Sequence, residues 1–319
     1  LPGFVILLLD VGVRNNQSRG EDMSKLCIYH GNCADGFGAA WVVRKALGED
    51  VDFHAGVYQN APPDVSGRDV ILVDFSYKRP VLEDMARSAK TITILDHHKS
   101  AADDLVHFAN PANMAESFEQ FADLAEFHGF YPIRALFDME RSGAMLAWNY
   151  FFPRISPPKL IEHIQDRDLW HFALPKTREI QATVFSYPYD FAVWDKLIGS
   201  DMEKLATEGE AIERKHFKDI AELVKVCRRE MTIGGIVVPV ASLPYTLTSD
   251  AGHLMATEHA SKIGVCYWDT PDGRVFSLRS TDDGPDVSEI AKQYGGGGHR
   301  NAAGFRVSFE RAREFEAKP

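Results

Sequence analysis

Eight consecutive residues, Thr91–His98, read T-I-T-I-L-D-H-H. A β-branched, apolar run suited to a buried strand ends abruptly in a carboxylate and two imidazoles, all competent to bind metal. A capped strand end with two surface histidines would read the same way, but the arrangement recurs upstream. D-V-I-L-V (Asp69–Val73) runs into Asp74 of D-F-S-Y, and Leu26–Tyr29 runs into His30. His30 opens H-G-N-C-A-D-G-F-G-A-A, in which Cys33 and Asp35 lie among Gly31, Gly36 and Gly38. Those glycines permit a tight strand-to-helix turn and close approach of backbone to an anion. Farther on, I-E-H-I-Q-D-R-D-L-W (Ile161–Trp170) closes a helical run with Asp166 and Asp168. Each motif has a plainer account. Asp35 and Asp74 could cap the next helix, and the last pair could be a polar helix end beside a buried Trp.

Taken together, His30, Asp35, Asp74, His97 and Asp166 form a mixed imidazole and carboxylate set without paired thiolates. Such a set suits Mn²⁺ and also accommodates Fe²⁺, Co²⁺ or Zn²⁺. An aspartate able to bridge two metals about 3.5–4 Å apart is the signature of two-metal phosphoryl chemistry, in which the metals activate water and neutralise phosphate charge.

The elements that must hold these residues alternate strand and helix. Strands are expected at Leu26–His30, Val51–His54, Asp69–Val73 and Thr91–Leu95, with helices over Asp35–Leu47 and Arg79–Ala89. Short connections imply a parallel sheet covered on both faces. The carboxyl ends of its strands then form one ligand-binding crevice, and His30, Asp74 and Asp96-His97-His98 all stand there. In Phe137–Phe152, Ser142 reads as a helix N-cap. Asp201–Glu230 reads as a charged helix with Leu205, Ile212, Ile220, Val224, Cys227 and Met231 on one stripe, a connector between domains. Strands then dominate: Ile236–Ala241, Gly264–Trp268 and Arg274–Leu278, with helices near Asp250–Ser261 and Val287–Tyr294.

The fold class is therefore α/β. An extension (1–22) carries no assigned function, and Met23-Ser24-Lys25 resembles a natural start. A parallel-sheet metal-binding domain (23–200), a linker helix (201–231) and a smaller α/β substrate domain (232–319) follow. The apolar run Phe4–Leu9 is too short for a membrane span or signal core. Four cysteines, Cys27, Cys33, Cys227 and Cys266, form no C-x-x-C pair and fit a reducing, cytoplasmic setting. A formal charge of −11 disfavours non-specific binding along nucleic acid yet allows a short anionic ligand.

Near the C-terminus, G-G-G-G-H-R-N-A-A-G-F (Gly295–Phe305) is too compact a setting for a flexible linker. Gly296, Gly297 and Gly298 would let phosphate or ribose approach backbone N–H groups. Arg279 of S-L-R-S and His299 would add charge-assisted hydrogen bonds. Arg300 is a weaker candidate, since an exposed arginine is usually solvated, and Phe305 reads as core.

The ordered motifs H-G-N-C-A-D-G, V-D-F-S, L-D-H-H and Q-D-R-D-L-W resemble those of the DHH phosphoesterase superfamily. S-L-R-S, D-V-S-E-I-A and G-G-G-G-H-R-N-A-A-G-F resemble its associated C-terminal domain. The likeness runs from about Leu26 to Val307. It implies that Asp74 bridges the metals, that Asp35, His97 and Asp166 complete one site, and that His30 belongs to the other. Asp96 would orient a histidine and His98 would contact the scissile phosphate. Cys33 stands where family members commonly carry a further aspartate, so it is a tentative ligand. The implied activity is Mn²⁺-dependent hydrolysis of short single-stranded oligonucleotides or dinucleotides to mononucleotides, of the nano-RNase (oligoribonuclease) or RecJ-like exonuclease kind. No membrane partner is expected, and a homodimer is left open. The alternatives are a pyrophosphatase or polyphosphatase and a non-catalytic nucleotide sensor.

Overall fold

The computed structural model describes residues 25–315 apart from 32, 110–113 and 115. The extension 1–22 and Met23 lie outside the described residues. The first half is built from β1 (Lys25–His30), α1 (Ala34–Leu47), β2 (Asp52–Gly56), β3 (Asp69–Val73), α2 (Arg79–Met85) and β4 (Thr91–Asp96). After these come α3 (Lys99–Asp104), α4 (Phe118–His128), β5 (Ile133–Phe137), α5 (Gly143–Phe151), α6 (Lys159–Asp168), α7 (Thr177–Ser186) and α8 (Phe191–Ile198).

The strands lie in the order β2-β1-β3-β4-β5, and every neighbouring pair is parallel. After β2 the chain crosses back over β1 to reach β3, so the direction of winding reverses between β1 and β3. Loops leaving the strands at such a point diverge and open a crevice. His30 ends β1, Asp74 follows β3, and β4 beside it delivers Asp96, His97 and His98. The expected gathering of motifs at one sheet edge is thus the observed one.

Strand β3 shows why the sheet is rigid there. Every residue of D-V-I-L-V is buried. Ile71 and Val73 pack with α1, α5 and α6 on one face, while Val70 and Leu72 pack with Leu82 and Met85 on the other. Period-two alternation between two covered faces needs apolar residues throughout, hence the unbroken run.

Helix α9 (Met202–Cys227) leads to the second sheet, with Asp201 capping it by accepting from Glu203 N and Lys204 N. It packs at both ends. Its Gly209 lies so close to α7 that a methyl there would sit 1.8 Å from Glu179 O. Ile220 and Val224 instead join a cluster with Ala241, Met255 and Cys266. The helix is shorter than the sequence suggests, and Met231 belongs to a strand.

The second unit contains β6 (Arg229–Ile233), β7 (Ile236–Ser242), α10 (Thr248–Glu258), β8 (Ile263–Thr270), β9 (Gly273–Ser280), α11 (Val287–Lys292), β10 (Gly297–Gly298), β11 (Ala302–Val307) and α12 (Phe309–Ala312). Its sheet runs β10-β11-β9-β8-β7-β6, antiparallel except for the β7–β8 pair. Asp250 on α10 fastens it to the first unit, lying 3.0 Å from Arg167, 3.5 Å from Arg178 and 3.0 Å from His216. Burial works against ionisation of Asp250, but His216 and the two guanidiniums hold it at about 2. Among the described residues no helix is long and apolar enough to cross a membrane.

Candidate metal centre

Asp74 is organised by its backbone before its side chain. It adopts φ +54°, rare for a residue with a Cβ, and its N–H donates to Leu95 O of β4 at 2.9 Å. One carboxylate oxygen then lies 2.9 Å from His97 Nε2 and the other 3.5 Å from His30 Nδ1. A single carboxylate faces imidazoles delivered by two different strands. The N-terminus of α5 closes the back of the site. A methyl on Gly143 would lie 2.4 Å from Asp74 Cβ, so only glycine allows this approach. Gly143→Ala should therefore cost about 1–3 kcal/mol by overpacking and, if the site holds a divalent cation, loosen it by displacing Asp74. Thermal melts and metal titration of the variant check both effects.

Two more carboxylates converge on the same ring nitrogen. Asp35 lies 3.7 Å and Asp168 3.6 Å from His97 Nε2. Asp35 is not a cap for its own helix. It accepts from Gly143 N and Ala144 N at the start of α5, whose dipole supports its charge. Ser142 caps α5 as expected, accepting from Met145 N.

One ring nitrogen can satisfy only one of these three carboxylates. Burial drives the Asp35 carboxyl well above the usual range, and the charges of Asp168 and Asp74 add to this. Asp168 is raised for the same first reason. Burial also opposes ionisation of Asp74, yet its bonds to His30 and His97 hold it well below the carboxylate range. For His97 burial disfavours the charged ring, but Asp74, Asp168 and Asp35 outweigh it and raise it well above the ordinary histidine value. Three carboxylates, two of them buried, around one buried imidazole leave negative charge that a divalent cation would neutralise. The residues fit a metal.

On the other side of Asp74, His30 and Cys33 complete a second set, their ligand atoms all within 4.8 Å of one another and of the Asp74 carboxylate. Desolvation and the neighbouring carboxylates push the Cys33 thiol well above its ordinary value. It would need a cation to ionise.

The remaining residues of the motif act around this pair. Asp96 accepts from the backbone of His97 and His98 at 2.8 and 3.2 Å and lies 2.7 Å from His98 Nδ1. The contact fixes the orientation of the His98 ring. From the second unit His299 stacks on His98, with centroids 4.4 Å apart and planes at 23°, and lies 4.6 Å from the His97 ring. It therefore lies directly against the imidazoles of the L-D-H-H run.

Asp166 requires a correction. Its carboxylate accepts from Ala173 N, Leu174 N and Thr177 Oγ1 at 2.8, 3.0 and 2.6 Å, tying the α6–α7 connection together. Asp168, not Asp166, lies near His97, 3.6 Å from its Nε2. Residues two apart on a helix point about 200° away from each other, so only one of the pair can face the centre.

The glycine run also differs. Gly296 N and Gly298 N are engaged by Ala291 O and Ser100 Oγ. A methyl on Gly296 would lie 2.1 Å from Gly304 O, and one on Gly297 2.6 Å from Ser100 Oγ. These glycines serve close packing that carries His299 across the cleft. Arg279 bonds Ser277 Oγ, Leu278 O and Ser249 Oγ, and burial, then repulsion from Arg167, lowers it to about 10. Exposed Arg300 donates to Gly284 O at 2.8 Å, bracing a loop.

Known proteins share this arrangement of sheets. A solved DHH domain, from a member of a family of ribosomal proteins, is 13% identical with a TM-score of 0.55, covering 92% of this chain and 84% of that one. An uncharacterized protein of Acanthamoeba polyphaga mimivirus is 30% identical over 316 residues, 92% of this chain and 70% of that protein. Residues 247–318 match the model of the DHHA1 domain. The chain belongs to the DHH phosphoesterase superfamily. The glycine run with His299 falls inside the DHHA1 match.

Proposed function

We propose that the chain is a metal-dependent phosphodiesterase acting on short oligonucleotides or dinucleotides. The observation that carries this is Asp74, whose two carboxylate oxygens face His97 and His30 at 2.9 and 3.5 Å and so link two donor sets. His97, Asp35, Asp74 and Asp168 would hold one metal, and His30, Asp74 and tentatively Cys33 the other. Mn²⁺ suits such oxygen and nitrogen donors. When bound, the pair supplies an activated water and neutralises charge developing on phosphate oxygens.

The chain's own groups do the rest. His98, fixed by Asp96, would hold the scissile phosphate, and His299 would close over it from the second unit. Arg167, from α6 of the first unit, and Arg279, from the second unit, would add positive charge beside this site. Confinement of these cations to one cleft, on a chain of formal charge −11, favours a short anionic substrate over a long polymer. A panel of dinucleotides, oligonucleotides, cyclic dinucleotides, pyrophosphate and polyphosphate with Mn²⁺ tests the reading. Mononucleotide release from the first two should dominate. Phosphate release from pyrophosphate as the fastest reaction would replace this reading with a phosphoanhydride hydrolase.

Cys33 gives a further prediction. A neutral thiol is a poor ligand for Mn²⁺, and its thiolate is softer than that ion prefers. Cys33→Asp should lower the Mn²⁺ concentration giving half-maximal activity, and Cys33→Ser should raise it. Overlaying titration curves for the three proteins would place Cys33 outside the coordination shell.

A further inference from the structure

The connection after β2 carries a feature that the metal centre does not use. Val57–Asn60 is a tight turn closed by Asn60 N donating to Val57 O at 3.1 Å. Its third residue, Gln59, has φ +69°, a conformation such turns ordinarily give to glycine. A glutamine there is understandable from its contact: Gln59 Nε2 donates to Gly295 O of the second unit at 3.5 Å. Asn60 is approached by Arg306 in the same way, also at 3.5 Å. The turn is thus tethered across the cleft at the glycine run that bears His299.

The residue this turn presents is Tyr58. Its ring centroid lies 4.9 Å from that of Phe75, which is fully buried, while Tyr58 itself is 42% exposed. Phe75 backs one side of the ring, and solvent reaches the remainder. The same ring lies 5.4 Å from His30 and 6.0 Å from His98, edge-on to both. An open aromatic surface on a rigid backing therefore stands directly beside the imidazoles that flank Asp74. A plain core tyrosine would be covered, and a solvent-facing one would have neither the Phe75 backing nor a tethered turn.

We infer that Tyr58 is a substrate-binding residue that stacks the nucleobase adjoining the scissile phosphate and so selects nucleotidyl esters over other phosphodiesters. A nucleotide is the ligand class that offers a flat π face one sugar away from a phosphate. Stacking on an aromatic side chain tolerates every base, so the residue would favour nucleotides without choosing among them. This inference rests on the phosphodiesterase reading above.

The test compares wild type, Tyr58→Ala and Tyr58→Phe on a dinucleotide and on the same compound lacking the terminal base, with Mn²⁺. In wild type, kcat/KM should favour the complete dinucleotide. That preference should fall about tenfold in Tyr58→Ala, mainly through KM, and be kept in Tyr58→Phe, because stacking uses the ring. Equal losses on both compounds in Tyr58→Ala, or a Phe variant as impaired as the Ala variant, would overturn the stacking role while leaving the phosphodiesterase reading intact. Unchanged preference in Tyr58→Ala would do the same. Failure of wild type to cleave either compound would remove both.

Discussion

Asp74→Asn is expected to lower kcat by at least about a hundredfold while the protein remains folded. The amide keeps the shape of the carboxylate but loses the charge that two donor sets share. His97 and His30, at 2.9 and 3.5 Å from the two oxygens, would each face a neutral group. Because both rings are held by their own strands, the fold should survive, as circular dichroism and a cooperative melt would report. Near-normal turnover in a folded Asp74→Asn protein would take Asp74 out of the mechanism.

Asp166 and Asp168 should part company when each is replaced by Asn. Asp168 lies 3.6 Å from the His97 ring nitrogen, and desolvation raises its carboxyl. Removing its charge should cost at least about a hundredfold in activity at limiting Mn²⁺, with the metal-free protein melting no lower than wild type. Asp166 is lowered instead: burial opposes this, but Thr177, Ala173 and Leu174 all donate to it. An amide oxygen cannot replace all three contacts, so Asp166→Asn should lose about 1–3 kcal/mol of stability and keep most of its turnover with excess Mn²⁺. Urea denaturation and Mn²⁺-dependent kinetics on both variants decide the matter. If Asp166→Asn abolished turnover and Asp168→Asn did not, the ligand assignment would revert to Asp166.

These two residues also show how far the sequence could be read. Apolar runs that end in His30, Asp74 and Asp96 announce a parallel sheet because burial on both faces demands unbroken hydrophobicity. The residue just past such a run must then lie at the crevice. That logic works for strands, where position along the chain fixes position in space. It fails at the end of α6, where Asp166 and Asp168 differ only in the direction a helix turns them, and local sequence gives no absolute rotation. The glycine run is ambiguous for a related reason. A missing side chain looks the same in sequence whether a ligand or another backbone comes close, and here Gly304 and Ser100 do. Tyr58 and Gly143 carry no local signal, because their contacts with Phe75 and Asp74 exist only in the folded chain. Met231 keeps the helical apolar spacing yet lies in β6, because a strand can begin two residues beyond a helix without breaking that spacing.

On the proposed reading, the position of Asp74 between two donor sets makes every turnover of a nucleotide ester depend on a metal. The most direct test is hydrolysis of a dinucleotide by protein stripped with chelator, followed as Mn²⁺ is added back. No mononucleotide should appear before addition, and turnover should rise to saturation with Mn²⁺ in wild type but stay near baseline in Asp74→Asn. Equal turnover by the stripped and the Mn²⁺-loaded protein, or none in either, would contradict the assignment.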